Sequence, residues 1–204
     1  IQGGFFLYPF PAYYHILISE RMVCIMDERE FLLYQAMVSY AMENIFWQLV
    51  FLNNALFDTP LGTDAKSKLE AMSKRYATII TNIYPAADCQ GLIDAMTNSN
   101  ALFASYIEHL LANSEQTACI KKEWLDNAQC TTQALCEINP YWKSTEWNAM
   151  LRHQNDLLES IVTNMLDKNY IAFANMAPIC QRLAMDMSDY MCSGIVQQMK
   201  NSWT

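Results

Sequence analysis

The chain has 204 residues, a formal net charge of −8, and 52% hydrophobic against only 17% charged residues. That length can build one sizeable core. An acidic, charge-poor chain lacks the clustered Lys and Arg that hold phosphates, so nucleic acid is excluded as a partner and membrane surfaces are disfavoured. Gly and Pro are scarce: neither occurs between Pro11 and Pro60, nor again between Gly91 and Pro140. Sandwiches, barrels and nucleotide-binding α/β folds need frequent turn residues or Gly-rich phosphate loops. The expected fold class is therefore all-α, an up-and-down antiparallel helical bundle of four long helices plus accessory helices.

Residues 1–25 differ in kind from the rest of the chain. They hold six aromatics, two prolines and only Glu20 and Arg21 as charges. A basic n-region and a small-residue cleavage site are missing, and the prolines break any membrane span. Asp27, Glu28 and Glu30 suit a helix N-terminus. Residues 1–25 are thus expected to be a non-native or disordered leader, and 26–200 a single helical-bundle domain.

The first helix is predicted over 28–57, with Gln35, Ser39, Glu43 and Gln48 as a narrow polar stripe and the remainder apolar. Asp58-Thr-Pro60-Leu-Gly62 ends it, and Thr63 or Asp64 can cap a second helix over 64–83. Pro85 and Asp88 punctuate before a third over 89–112, and Asn113-Ser114 turns into a fourth over 115–138. Asn139-Pro140 stops that helix, because a residue before Pro avoids the α region. Ser144 is expected to cap a fifth over 145–167, and Asp167-Lys168-Asn169 to turn into a sixth over 170–193. Pro178 removes one hydrogen bond inside the sixth and should kink it, and Gly194 should end it as a left-handed residue.

The apolar stripes share a pattern. The fifth helix shows Trp147, Leu151, Gln154, Leu158, Ile161 and Met165; the third shows Leu92, Met96, Ser99, Phe103, Tyr106 and Leu110. Sliding one stripe along the other until Met96 matches Leu151 also pairs Ser99 with Gln154 and the turn residue Asn113 with Lys168. One polar notch falls at the same level of both stripes. The first helix carries Leu33, Met37, Tyr40, Asn44 and Trp47 on its corresponding face.

Glu123-Trp124-Leu125-Asp126-Asn127-Ala128, Ile138-Asn139-Pro140-Tyr141-Trp142 and Trp147-x-x-Met150-Leu151 resemble a family of uncharacterised helical-bundle proteins from Gram-positive, spore-forming bacteria. Asp167-Lys168-Asn169-Tyr170, Met187-Ser188-Asp189 and Gly194-Ile195-Val196-x-Gln198 resemble it too. The likeness is close over 124–199, looser over 28–123 and absent from 1–25. It implies a His at each of the positions held here by Met37, Ser99 and Gln154, and a Glu where this chain has Ile161. Three histidines and a carboxylate facing one another across a bundle would suit a transition metal or polar ligand. This chain replaces all four, leaving Asn127 and Asp189 as the polar residues that remain of the resemblance. Some members carry the label acetylglutamate kinase, but that chemistry needs Gly-rich phosphate loops, and 28–204 holds only Gly62, Gly91 and Gly194.

Other chemistry is thinly signalled. His15 lies in the leader, and His109 and His153 flank the core stripes. Neither E-x-x-H nor H-E-x-x-H occurs. The seven cysteines, with no C-x-x-C pair, read as free, mostly buried thiols in a reducing cytoplasm. The 13 methionines read as core, with an adaptable groove as the alternative, and Trp124, Tyr141, Trp142 and Trp147 as packing for the corner around Asn139-Pro140, with the lining of a ligand pocket as the alternative. The candidate ligand-binding residues are Asn44, Ser99 and Gln154, with Asn127 and Asp189. The first functional expectation is a non-enzymatic, cytoplasmic binding or interaction module with a small polar notch in its core, with no cofactor and with room for a homodimer. The alternative is a metal- or small-ligand-binding bundle of ferritin-like or hemerythrin-like style, open to enzyme activity, whose cofactor would be an unknown transition metal and whose small-molecule ligand is unspecified.

Overall fold

The computed structural model describes residues 28–57 and 62–202. The leader at 1–25 and most of the turn expected at 58–62 lie outside the described residues. Six helices follow in order: α1 (Glu28–Phe57), α2 (Gly62–Thr81), α3 (Ala86–Leu111), α4 (Thr117–Ile138), α5 (Ser144–Leu166) and α6 (Tyr170–Ser202). Among the described residues there is no strand. Each helix packs on the next, α6 returns to α1, and α1 also meets α3. The bundle is therefore three antiparallel hairpins closed into a ring.

The two turns paired by sequence, at Asn113 and Lys168, have the same chemistry. At the end of α3, Asn113 adopts φ 50°, its N–H bonds Leu110 O, and Ser114 N–H bonds His109 O. At the end of α5, Lys168 adopts φ 58°, its N–H bonds Met165 O, and Asn169 N–H bonds Asn164 O. Both are Schellman turns, which satisfy the orphaned carbonyls of the last helical turn. The α4–α5 corner is set differently. Asn139 is extended, as a residue before Pro must be; its Oδ1 accepts from Tyr141 N–H and its Nδ2 donates to Tyr84 Oη.

Three helix-end expectations are corrected. α2 begins at Gly62, so Asp64 stands in the first turn, where its charge favours the helix dipole, and is not the cap. Ser144 is the first helical residue of α5, after an extended Lys143 whose N–H is held by Tyr190 Oη. Gly194 does not end α6, which runs to Ser202, and no glycine has positive φ among the described residues. Gly194 is required for another reason. A Cβ there would lie 2.1 Å from Nε1 of Trp142, whose indole N–H donates to Met191 O at 3.2 Å. Gly194 is a seat for the Trp142 ring. Pro178 does lie inside α6, at an exposed position.

Gly91 is the contrasting case, an exposed glycine inside α3 with open space where a Cβ would go. Gly91→Ala is expected to stabilise the protein by about 0.5–1 kcal/mol, because Gly costs that much in a helix interior. Urea denaturation checks the sign.

The core has two ends. One gathers Met37, Tyr76, Leu92, Trp142, Trp147 and Ile195; the other gathers Ile45, Leu52, Phe103, Trp124, Leu158 and Ile161. Trp142 and Trp147 meet edge to face at 6.0 Å, and Trp147 meets Tyr190 at 5.3 Å. Trp124 does not join them. It stands inside α4, several turns before the corner, stacked on Tyr106 at 5.7 Å and beside Phe103 at 5.4 Å. The polar stripe of α1 also bends away from its expected course: Gln35 and Ser39 are exposed, but Gln48 is buried at 3% and Phe46 takes the exposed place.

Candidate functional site: a charge-free central chamber

Between the two ends of the core lies a chamber of about 80 Å³. α1 contributes Met37, Tyr40, Ala41, Asn44 and Gln48; α3 contributes Met96, Ser99 and Asn100; α5 contributes Trp147, Leu151, Gln154, Asn155 and Leu158. Tyr76 of α2, Thr131 of α4, and Met187, Ser188 and Met191 of α6 complete most of the rest. The lining holds no Asp, Glu, Lys, Arg or His. An ion entering it would lose its hydration with no opposite charge to meet, so the walls select for uncharged occupants.

The pairing of the stripes now has a spatial meaning. Asn44, Ser99 and Gln154 are evenly spaced along the chain, on α1, α3 and α5, and all three line the chamber. Ala41, Met96 and Leu151, one turn earlier, repeat the relation. Three hairpins thus offer corresponding positions to one centre, two of them from the stripes paired by sequence and the third from α1.

The polar groups divide into two sets. In the first, Asn100 Nδ2 donates to Asn44 Oδ1 at 2.9 Å and lies 3.4 Å from Leu69 O, while Gln48 Nε2 donates to Asn100 Oδ1 at 3.3 Å. A backbone carbonyl can only accept, so Leu69 O fixes which way the Asn100 amide points. That in turn fixes Gln48: its NH2 faces Asn100, and Oε1 is left as an acceptor. Thr131 and Ser188 turn their hydroxyls onto their own helix, to Asn127 O and Ala184 O.

The second set has no partner. Tyr40 Oη, Gln48 Oε1 and Trp147 Nε1 are buried atoms without a hydrogen bond, on residues 6%, 3% and 1% exposed. All three residues line the chamber. Leaving such a group unsatisfied costs about 1–3 kcal/mol each, and native proteins keep few of them. Burial pushes the Tyr40 and Tyr76 phenols well up, so both stay neutral hydroxyl donors. Tyr76 spends its proton on Met191 Sδ at 3.9 Å.

Asn127 and Asp189 are not brought to this centre. Asn127 is buried, and its Nδ2 donates to Ala95 O at 2.9 Å, tying α4 to α3. Asp189 accepts from Tyr34; burial raises the Asp189 carboxyl, and burial with the Asp189 charge pushes Tyr34 up to about 12. Of the four positions marked by the family resemblance, Met37, Ser99 and Gln154 line the chamber, whereas Ile161 is fully buried in the Phe103–Trp124 end of the core. Trp147, one of the corner aromatics for which a pocket is the alternative reading, lines the chamber, whereas Tyr40, Gln48, Asn100 and Asn155 are chamber residues that sequence reasoning misses as ligand-facing. One signal for them exists: Asn100 and Asn155 directly follow Ser99 and Gln154, so each notch is a polar pair.

Elsewhere, chemistry is muted. His109 Nδ1 sits 2.9 Å from Ser105 O and His153 is exposed; His15 lies outside the described residues. Among the described residues no three His, Cys, Asp or Glu side chains gather as metal ligands. Cys89, Cys180 and Cys192 are buried, Cys136 is half-buried, and Cys119 and Cys130 are exposed. Burial pushes Cys180 and Cys192 up to about 12, the opposite of what a nucleophilic thiolate needs. Among the described residues no helix is long and apolar enough to cross a membrane.

No protein-family model, curated protein or solved structure matches this chain.

Proposed function

We propose that this helical bundle is a non-enzymatic binding module that takes one small, uncharged molecule into its central chamber. The observation that carries this reading is that Tyr40, Gln48 and Trp147, each with a buried polar atom lacking a hydrogen-bond partner, all line one chamber. A fold that tolerates several kcal/mol of unmet hydrogen bonding at one place is arranged for something that arrives there. The chamber's polar groups are amides, hydroxyls, an indole N–H and thioethers, a set suited to neutral organic groups and poor in hard metal ligands. Unpaired cysteines fit a reducing, cytoplasmic setting.

Ligand that binds only the folded state raises its apparent stability by mass action. A panel of small alcohols, amides and diols is therefore expected to raise the melting temperature, while carboxylate and ammonium analogues of the same size leave it unchanged. Equal shifts from charged and neutral compounds, or none from any, would count against the chamber as a binding site.

A further inference from the structure

A larger recess lies away from the chamber. It is a groove of about 410 Å³ where the start of α1, the end of α2 with its following turn, and the end of α6 come together. Leu33, Ala36, Ile79, Ile83, Val196 and Met199 supply apolar walls, with Asn82 as a neutral polar group among them. Leu32 on the same groove is 56% exposed and Met199 is 42% exposed. Large apolar side chains that meet water around a recess mark a place for an apolar partner.

The charges sit at one end of this groove. Arg29 and Glu30 belong to the first turn of α1, Arg29 about 10 Å of helix rise before Ala36. Lys200 stands in the last turn of α6, one turn beyond Val196. Lys200 Nζ meets Glu30 Oε1 at 2.8 Å, which uses one of the three donors of an ammonium, and the Lys200 side chain stays largely exposed. Two cations against one carboxylate leave room for one further negative charge, in a chain whose net charge is −8. The groove is thus polarised, with a cationic mouth and apolar walls running inward from it.

Its volume sets the length of an occupant. A cavity of about 150 Å³ accepts benzene, so by the same ratio 410 Å³ takes at most about 16 non-hydrogen atoms.

We propose that this groove is a second binding site, for a medium-chain fatty acid of about eight to twelve carbons, whose carboxylate joins Arg29 and Lys200 at the mouth and whose alkyl chain lies along Leu33, Ile83 and Met199. A neutral lipid would gain nothing from the two cations. The groove shares no lining residue with the chamber, so this site stands or falls independently of the chamber's ligand.

The test titrates the full chain with saturated fatty acids from hexanoate to dodecanoate, below their micelle concentrations, by methyl-detected NMR. Each methylene that enters the groove is worth about fourfold in affinity. The Kd should therefore fall by about that factor per carbon until the groove is full, with shifts at Leu33, Ile83 and Met199 and none at Met96 or Leu151 of the chamber. Octanoate should bind about fivefold more tightly than 1-octanol, the upper value for an exposed ion pair, and high salt should erase that difference. Lys200→Gln, at an exposed position, should remove most of the preference and leave 1-octanol binding unchanged. Met199→Asp puts a negative charge in the apolar wall and should weaken both. Equal binding of octanoate and 1-octanol would overturn the carboxylate assignment. Affinity indifferent to chain length, or shifts confined to the chamber, would overturn the groove as the site. A dimer that protects Leu32 and Met199 and ignores fatty acid would overturn it in favour of a second copy of the chain.

Discussion

Gly194→Ala is expected to destabilise the protein by about 3 kcal/mol, the upper end of the cost of overpacking a core with an added hydrogen bond at risk. The new Cβ would fall 2.1 Å from Nε1 and 2.4 Å from Cδ1 of Trp142. An exposed side chain could swing away at little cost, but Trp142 is 3% exposed and held between Tyr84 at 6.3 Å and Trp147 at 6.0 Å. Moving it breaks the bond from its indole N–H to Met191 O and disturbs Trp147, which lines the chamber. Urea denaturation gives the value, and near-ultraviolet circular dichroism reports the Trp142–Trp147 pair. Gly91→Ala is the matched control, the same change in a helix with nothing to strike. Parental stability for Gly194→Ala would mean that Trp142 does not rest on α6.

Asn100→Ala should cost a similar amount, about 3 kcal/mol, from two buried polar groups left without partners. Asn100 joins α1 to α3 by receiving from Gln48 and donating to Asn44. Removing it strands Gln48 Nε2 and Asn44 Oδ1 within a charge-free cavity wall. Asn100→Asp is the sharper form of the experiment, because it preserves shape and removes only the donor. Ionised, the carboxylate would face two acceptors, Asn44 Oδ1 and Leu69 O. Burial among acceptors raises the carboxyl pKa of the folded state above its unfolded value. The neutral acid's stability is then fully present below the unfolded pKa and lost as pH rises through the folded pKa. The variant should approach parental stability in acid and fall away towards neutrality, measured as denaturation midpoint against pH. A flat difference between parent and variant would show that the Asn100 amide is not oriented by Leu69.

Much of the fold is legible in the sequence because its signals are local. The bounds of α1, the stop at Asn139-Pro140 and the turns at Asn113 and Lys168 follow from periodicity and from steric rules for single residues. Expectations fail where a distant partner decides. Gly194 has the local marks of a helix end, but Trp142, far earlier in the chain, supplies another reason for a missing side chain. Trp124 suits corner packing by its position, but Tyr106 offers it a stacking face elsewhere. The candidate site is half legible for the same reason. Asn44, Ser99 and Gln154 stand out as polar breaks in apolar stripes and share one chamber, but periodicity alone puts Gln48 on the exposed stripe of α1. Nor does sequence reveal that Tyr40 and Trp147 end without hydrogen-bond partners, since that depends on what the facing helices fail to offer.

The most direct measurement is the indole N–H resonance of Trp147 during titration with a short diol, with the Trp142 indole, already bonded to Met191 O, as internal reference. If the chamber is a binding site, the Trp147 signal moves downfield saturably and its solvent exchange slows, while Trp142 changes little. A Trp147 signal that stays in place while shifts appear only at surface residues would contradict the central claim.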